Sequence, residues 1–317
     1  MAEAPLVDVQ NVSVRFRRRR TGLAGLLGPP ATFRAVANAA LTVARREVVG
    51  LVGESGSGKT TLGRTILRLV EPSEGNILFQ GEPITHLREG ALRRVWGRMA
   101  LVFQDPLSSF NPRRSVGAAL ATPLMLAGLP KSERQDRVAA SLQRVRLPRE
   151  VAERFPHELS GGQLQRAALA RALMLDPAFI VADEAVSKLD VSVRSQILNL
   201  FKDIQQELET SFLFITHDLH VARFLCDRVA VMFFGRIVEV APAAQLFRMP
   251  RHPYTRALLA TLDDAGERTG QRSAVDQEAP GCIYRSQCPR RIKRCDEAHP
   301  PTLMAGPGHA LACHNPG

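Results

Sequence analysis

Apolar and polar positions along the chain predict strands and helices in alternation. Residues 6–16 alternate between apolar and polar side chains, which is typical of a half-buried strand. Shorter apolar runs predict further strands at 33–43, 48–52, 76–79, 99–103, 179–183 and 211–216. Apolar residues at helical spacing predict helices at 61–69, through most of 115–175 and from about 190 to 209. This alternation predicts an α/β fold.

The loop between the strand at 48–52 and the helix at 61–69 carries a phosphate-binding pattern. Its sequence Gly-Glu-Ser-Gly-Ser-Gly-Lys-Thr, residues 53–60, matches Gly, four residues, Gly-Lys-Ser/Thr without a mismatch. Glycines let backbone N–H groups converge on nucleotide phosphates at a helix N-terminus. Lys59 is expected to reach the β- and γ-phosphates, and the Thr60 hydroxyl to bind Mg²⁺. The pattern predicts an NTPase without saying which kind.

Polar side chains follow three of the predicted strands. Gln104 comes directly after residues 99–103, where an amide can reach Mg²⁺ or an attacking water. Asp183 and Glu184 end the next apolar run, and ligands of open α/β sheets bind at the carboxyl ends of strands. Asp183 fits a metal-supporting acid, and Glu184 fits a group that polarises water. His217 follows the strand at 211–216 and is expected to donate to a γ-phosphate.

A second glycine-containing helix start lies at Leu-Ser-Gly-Gly-Gln, residues 159–163, before an alanine-rich helix. Ser160 is a predicted N-cap, because its hydroxyl can accept a hydrogen bond from a first-turn N–H group. A helix start rich in N–H donors is a second potential phosphate site. It is far along the chain from Lys59, so it need not serve the same phosphates.

Composition limits the classes of partner. The chain has 317 residues, enough for one large domain and a smaller appendage, and a formal net charge of +11. Such a charge can suit nucleic acid or an anionic membrane surface. No zinc-finger spacing, helix-turn-helix pattern or aromatic–basic stripe accompanies it, so no nucleic-acid partner is predicted. The apolar runs are too short for a spanning helix and the N-terminus lacks a signal-peptide pattern, so a cytosolic protein is expected.

Taken in order, these motifs resemble the nucleotide-binding subunit of an ATP-binding-cassette (ABC) transporter. The resemblance covers roughly residues 6–245, and residues 159–163 are its most specific part. It implies a P-loop NTPase of the ABC cassette type, with a mixed-sheet core and a helical subdomain at about 105–175. It places the ABC ATP-binding domain at 1–245 and an extension at 246–317.

The resemblance implies ATP and Mg²⁺ as cofactors and a role for each motif residue. Glu184 would be the catalytic base, His217 would stabilise the γ-phosphate, and Gln104 would bind Mg²⁺ and report to the permease. Mg²⁺ would be held through Thr60, Gln104 and Asp183. Phe16 would stack on adenine, with a core position as the alternative. The remaining ATP contacts would be Gly53, Ser55, Gly56, Gly58, Lys59, Thr60 and Thr61, and, toward the ATP of a second cassette, Ser160, Gly161, Gly162 and Gln163.

Two segments resemble the ATPases of oligopeptide, dipeptide and nickel importers, in particular the "F" member of their paired ATPases. These are residues 155–166 and residues 251–259, Arg-His-Pro-Tyr-Thr-Arg-Ala-Leu-Leu. The resemblance implies ATP hydrolysis that powers import of peptides or related small solutes, with nickel or opines possible, across the bacterial inner membrane. Implied partners are a second ATPase forming a heterodimer, two permeases and an extracytoplasmic substrate-binding protein. The subunit would be peripheral, on the cytoplasmic face of that membrane.

Other interpretations stay open at this stage. A soluble ABC ATPase acting in iron–sulfur assembly or on nucleic acid is the alternative function. Ala185 stands where the family usually has proline and Lys188 where a small residue is common, so it is open whether both ATP sites of a pair are equally active. Residues 17–30, an arginine- and glycine-rich insertion, fit either a solvated loop or a lipid-facing one.

Four of the five cysteines lie near the C-terminus, after a predicted linker at 263–279. Four thiolates suit a structural Zn²⁺ or a four-cysteine iron–sulfur cluster, although the short spacing common in zinc sites is missing. The segment 281–317 resembles the C-terminal module of peptide-importer ATPases. That resemblance implies a [4Fe–4S] cluster, with zinc or no metal as alternatives, on Cys282, Cys288, Cys295 and Cys313.

Overall fold

The structure, a computed structural model, describes residues 4–18, 31–262 and 280–317. The predicted linker at 263–279 and residues 19–30 of the predicted insertion lie outside this part. The chain divides into two compact units. The first contains residues 1–42, 49–86 and 217–317, and the second contains residues 43–48 and 87–216.

The strands and helices in the described ranges confirm the predicted elements, with ends shifted by a few residues. The strands are β1 (Val7–Arg18), β2 (Ala31–Val43), β3 (Val48–Val52), β4 (Glu74–Phe79), β5 (Glu82–Pro83), β6 (Met99–Val102), β7 (Phe179–Asp183), β8 (Ser211–Thr216), β9 (Arg228–Phe233), β10 (Arg236–Pro242), β11 (Thr302–Gly306) and β12 (His309–Ala312). The helices are α1 (Lys59–Ile66), α2 (Glu89–Trp96), α3 (Val116–Leu126), α4 (Lys131–Arg144), α5 (Gly161–Ala172), α6 (Val191–Leu208), α7 (Leu219–Leu225), α8 (Ala243–Arg248), α9 (Pro253–Ala260) and α10 (Arg294–Glu297).

The first unit contains a mixed sheet, as predicted, and a smaller sheet. In the mixed sheet β3 runs parallel to β9, and β9, β10, β12 and β11 follow as antiparallel neighbours. The smaller sheet has the order β2-β1-β4-β5. All five residues of β3 are buried, and a Cβ atom on Gly50 would lie 2.8 Å from the Cys226 sulfur. Cys226 therefore packs closely against β3, in the core of this unit.

The second unit is built on the three parallel strands β6, β7 and β8. Every residue of β7 and β8 is buried, which explains their continuous apolar sequence, since parallel strands covered on both faces need no polar side. The Phe201 ring of α6 meets the rings of Phe212 and Phe214 edge-on, at centroid distances of 5.8 and 5.3 Å. Helices α3, α4 and α5 pack against one another in the region predicted to be the helical subdomain.

The C-terminal segment is joined to the mixed sheet of the first unit. Strand β12 pairs with β10, with Glu239 opposite Leu311 and Val240 opposite Ala310. Helix α8 runs across residue 245, where the sequence predicts a domain boundary. The predicted boundaries stay predictions. Among the residues that the structure describes, no helix combines the length and apolar character needed to cross a membrane.

Candidate functional site

The predicted phosphate loop connects β3 to α1, and close backbone contacts explain two of its glycines. Gly53 has φ +148°, and a Cβ atom on it would lie 2.1 Å from the Met232 carbonyl oxygen. Gly58 has φ +102°, and its Cβ atom would lie 2.3 Å from the Ala35 carbonyl oxygen. Gly56 also has a positive φ, +81°, with open space around it. Any side chain at Gly53 or Gly58 would therefore displace neighbouring backbone.

Lys59 lies inside this loop and is only 4% exposed. Its ammonium donates to the carbonyl oxygens of Gly53 and Glu54, at 2.8 and 2.7 Å, and lies 3.4 Å from the Ser57 hydroxyl. The carbonyl dipoles offset the cost of burying the charge. The loop thus curves around a fixed positive charge, which is the arrangement that a polyphosphate requires.

Helix α1 begins directly after Gly58, and among the described residues no side chain caps its N-terminus. The first turn contains no acidic residue, so the positive end of the helix dipole is not offset by a carboxylate. Thr60 and Thr61 lie half-buried in this turn, whereas Ser55 is exposed at the tip of the loop. The structure thus places these predicted ATP-binding residues around one helix start suited to an anion.

In the second unit, Gln104 and Glu184 come together although 80 positions separate them. The Gln104 amide nitrogen donates to a Glu184 carboxylate oxygen at 2.6 Å. The parallel pairing of β6 with β7 brings the ends of these strands side by side, which explains the meeting. Asp183 is 4% exposed at the end of β7, and Glu184 follows with φ +47°. The buried Asp183 is suited to supporting a metal ion, and the accessible Glu184 is suited to activating a water molecule.

His217 and Phe16 are both exposed, as ligand-contacting residues need to be. His217 follows the last residue of β8. Asp218 next to it caps α7, because its carboxylate accepts from the backbone of His220 at 2.9 Å. Phe16 near the end of β1 is 43% exposed, which does not fit its alternative interpretation as a core residue. The roles predicted for the two side chains stay predictions.

The second glycine-containing motif forms a complete capping box at the start of α5. The Ser160 hydroxyl accepts from the Gln163 backbone at 3.3 Å, and the Gln163 side-chain oxygen accepts from the Ser160 backbone at 3.1 Å. A Cβ atom on Gly162 would lie 2.6 Å from a Val193 methyl carbon of α6, whereas one on Gly161 would have no contact below 3.9 Å. Ser160 is confirmed as N-cap, and its helix start is exposed.

The four C-terminal cysteines are free thiols that are wholly or partly buried. Cys282, Cys295 and Cys313 are buried and Cys288 is half-buried. The pKa of Cys313 is raised to about 11, mainly by burial and in smaller part by the negative charges of the other three cysteines. Burial is also the main cause of the raised pKa of Cys282 and Cys288. Within residues 4–18, 31–262 and 280–317, no three Cys, His, Asp or Glu side chains are arranged to hold a single metal ion.

One contact of the phosphate loop was not predicted from the sequence. The Tyr254 hydroxyl of α9 accepts a hydrogen bond from the Glu54 backbone N–H at 3.2 Å. Tyr254 belongs to residues 251–259, which the sequence marks as a family motif without indicating what it touches. The 200 positions between the two residues explain why periodicity and spacing carry no signal for the contact.

Comparison with known proteins decides the family. Residues 36–187 match the ABC transporter family, and residues 238–295 match the C-terminal region of oligopeptide/dipeptide transporters. A Brucella ovis protein, named for a proposed role as a peptide import ATP-binding protein, is 44% identical over 322 residues, covering 99% of this chain and 98% of the relative. The chain belongs to the ABC transporter family.

Other relatives agree with membership of the ABC transporter family. A Sinorhizobium fredii protein, named for a proposed role as a peptide ABC transporter ATP-binding protein, is 44% identical over 290 residues. The match covers 89% of this chain and 82% of the relative. Among solved structures, the dimeric ATP-binding cassette MJ0796 bound to ADP and Pi has a TM-score of 0.66 at 28% identity. The match covers 75% of this chain and 98% of MJ0796. CbiO1 of Clostridium perfringens, part of an ABC transporter complex, has the same TM-score and identity. The match covers 78% of this chain and 92% of CbiO1.

Proposed function

We propose that this ABC transporter chain hydrolyses ATP to power the import of peptides. The observation that carries the proposal is the near full-length similarity to relatives named for peptide import, including the C-terminal region. The geometry of the phosphate loop and the paired Gln104 and Glu184 supports ATP hydrolysis. These relatives give no support to the alternative of a soluble ATPase acting in iron–sulfur assembly or on nucleic acid.

Each motif residue then has a defined task. Lys59 and the backbone of residues 53–60 hold the phosphates, while Thr60, Gln104 and Asp183 support Mg²⁺. Glu184 accepts a proton from the water that attacks the γ-phosphate, and Gln104 orients that carboxylate through the 2.6 Å hydrogen bond. His217 donates to the γ-phosphate and Phe16 stacks on adenine.

Glu184→Gln tests this assignment. The amide keeps the shape of the side chain and loses its basicity, so ATP binding should persist while turnover falls by about 10²-fold or more. The measurement is ATP affinity at equilibrium beside phosphate release from the assembled transporter. Glu150→Gln is the matched control, because Glu150 is an exposed carboxylate of the same unit. Hydrolysis near the wild-type rate in the Glu184 variant would show that another group is the base.

We further propose that the chain works as a pair of cassettes on the cytoplasmic face of the inner membrane. Its partners are a second ATPase chain, two permeases and an extracytoplasmic binding protein. Ser160 and Gly162 bind the γ-phosphate of ATP held by the partner cassette, which agrees with the exposure of the Ser160 helix start. The similar cassette MJ0796 is described as a dimer. Residues 1–245 are proposed as the ATP-binding domain, with a helical subdomain at about 105–175.

Ser160→Arg tests the pairing, because a long cation at the exposed helix start blocks a facing phosphate. In the non-hydrolysing Glu184→Gln background, ATP should drive association with the partner ATPase, and Ser160→Arg should abolish it. Light scattering of the mixed subunits measures the association. Arg149→Lys, an exposed position of the same unit, is the control. Undiminished association of the Ser160 variant would contradict the proposed role.

We also propose that the segment 281–317 is a cysteine-rich module whose four cysteines hold a [4Fe–4S] cluster. The support is chemical: three of the four free thiols are buried, and the other three cysteines lie near enough to Cys313 to raise its pKa. Zinc is the weaker alternative, because the short cysteine spacing common in zinc sites is missing from the sequence. When bound, a cluster supplies electron-transfer or structural chemistry.

The metal content decides this point. Protein purified without air should contain about four irons and four sulfides per chain if the cluster is present. Cys282→Ser should lower both together, and Cys226→Ser should lower neither, because Cys226 packs against β3 instead. One equivalent of zinc, or no metal at all, would overturn the cluster proposal and leave the ATPase proposal intact.

A further inference from the structure

Residues 251–259 have no task in the proposed ATPase cycle, yet they reach the phosphate loop. Tyr254 is 2% exposed near the start of α9, and its hydroxyl accepts from the Glu54 N–H at 3.2 Å. Glu54 is the second residue of the loop, directly after Gly53. The contact therefore ties the loop at its first turn, two residues after the end of β3.

A network of hydrogen bonds fixes the position of Tyr254. Its own N–H donates to the Nδ1 atom of His252 at 3.0 Å, which caps α9. The backbone N–H groups of Arg251 and His252 donate to the two carboxylate oxygens of Glu239, at 2.8 and 3.0 Å. Glu239 is fully buried in β10 and also pairs with His309 of β12 at 2.7 Å. Tyr254 is thus held from both β10 and β12.

Ring packing holds the same side chain from its other sides. The Tyr254 ring lies 4.4 Å from that of Phe233 at the end of β9 and 5.5 Å from that of Tyr284. Tyr284 is two residues after Cys282. The His252 ring also lies 5.9 Å from the Tyr284 ring, measured between centroids. The supports of Tyr254 therefore come from the segment that carries the cysteines.

We propose that Tyr254 is a positioning residue for the phosphate loop, and that it couples ATP binding to the order of the cysteine-bearing segment 280–317. The inference rests on the proposed ATPase function. A loop already held in its phosphate-binding shape loses less conformational freedom when ATP binds, so ATP binds more tightly. By reciprocity, ATP bound to the loop stabilises whatever holds Tyr254 in place.

Tyr254→Phe tests the first part, because it removes the hydroxyl and keeps the ring in its packing. ATP affinity, measured by equilibrium dialysis in the Glu184→Gln background, should weaken about fivefold, the size expected for one lost hydrogen bond. In the hydrolysing transporter, KM for ATP should rise while kcat changes by less than twofold. Loss of a purely structural tyrosine would instead lower the amount of folded enzyme, and with it the apparent kcat, and would leave KM for ATP unchanged.

Thr255→Val is the matched control for the lost hydroxyl. Thr255 is the next residue of α9 and fully buried, and its hydroxyl has no hydrogen-bond partner among the described residues. Its removal should leave ATP affinity unchanged. Equal affinity in wild type and Tyr254→Phe, or equal weakening in both variants, overturns the inference. Unchanged ATP affinity after Lys59→Ala would instead overturn the ATPase proposal itself.

Hydrogen–deuterium exchange tests the coupling. In the Glu184→Gln background, saturating ATP should slow amide exchange in peptides from residues 280–317. In Tyr254→Phe, compared at equal ATP occupancy, that slowing should disappear, while slowing in residues 53–61 should remain. Slowing of residues 280–317 to the same degree in both proteins overturns the coupling.

Discussion

At the scale of single residues, the three glycines of the phosphate loop are required for different reasons. Gly58 combines a positive φ with a Cβ position 2.3 Å from the Ala35 carbonyl oxygen, whereas Gly56 has a positive φ and open surroundings. Both positions strain an L-residue, but only the first also forces backbone apart. The motif thus specifies one glycine for its conformation and another for its conformation and its space.

This difference predicts unequal costs of substitution. Gly56→Ala should lower the free energy of unfolding by about 1 kcal/mol, the strain of an L-residue in the left-handed region. Gly58→Ala should lower it by about 3 kcal/mol, because overpacking adds to that strain. Urea unfolding of the two variants beside the wild type measures the costs. Equal costs would mean that the Ala35 backbone yields freely.

The identity of the site residues was predictable from the sequence, but their contacts were not. Asp183 and Glu184 could be assigned because an apolar run that ends in acids marks the carboxyl end of a buried strand. The hydrogen bond between Gln104 and Glu184 depends on the register of β6 and β7, which no local pattern encodes. The contact of Tyr254 with Glu54 depends on how α9 packs against the loop, so the spacing of residues along the sequence could not predict it.

At the scale of elements, α5 shows how far a local pattern predicts structure. Ser160 followed three residues later by Gln163 predicts a helix start, and the capping box is present at both hydrogen bonds. The reason for Gly162 appears only in the structure, because a Cβ atom there would lie 2.6 Å from a Val193 methyl carbon. Glycine thus sets how closely α5 approaches α6.

Substitutions at this helix pair follow from that contact. Gly162→Ala should destabilise the protein by about 1–2 kcal/mol relative to Gly161→Ala, because it overpacks Val193 while both variants share the gain in helix propensity. Adding Val193→Ala to Gly162→Ala should recover most of the loss. Denaturant unfolding of the wild type, Gly162→Ala, Val193→Ala and the double variant measures the coupling between the two positions. Additive costs would show that α5 and α6 separate without resistance.

At the scale of the whole chain, the sequence predicted a boundary near residue 245, and the strand pairing runs across it. The buried Glu239 of β10 accepts from Arg251, His252 and His309, so strand, motif and C-terminal segment share one carboxylate. Strands β11 and β12 were not predicted, because the cysteine spacing was the only strong pattern there. Long-range pairing therefore joins residues on both sides of position 245 in one sheet, and the predicted boundary stays a prediction.

The buried histidines of this region make stability depend on pH. Burial lowers the pKa of His252 from 6.5 to about 4, and this outweighs the opposite effects of the Glu239 carboxylate and the Ala312 backbone. The pKa of His299 is lowered to about 4 by burial and by the positive charge of Arg236. Unfolded histidine takes up its proton near pH 6.5. Between pH 6.5 and 4 the unfolded state therefore binds more protons than the folded state, so stability falls as pH falls through this window.

For His252 alone the loss approaches, at most, on the order of 3 kcal/mol by pH 4, since each unit of pKa difference corresponds to about 1.4 kcal/mol. His252→Asn retains a side chain that can cap α9 and removes the titrating group. Its unfolding free energy should therefore decline less steeply than that of the wild type between pH 6.5 and 4.5. His220→Asn, at an exposed position of α7, should follow the wild-type curve. Parallel curves for wild type and His252→Asn would mean that the imidazole of His252 is protonated in the folded protein as readily as in the unfolded chain, in which case its Nδ1 atom does not cap α9 below pH 6.5.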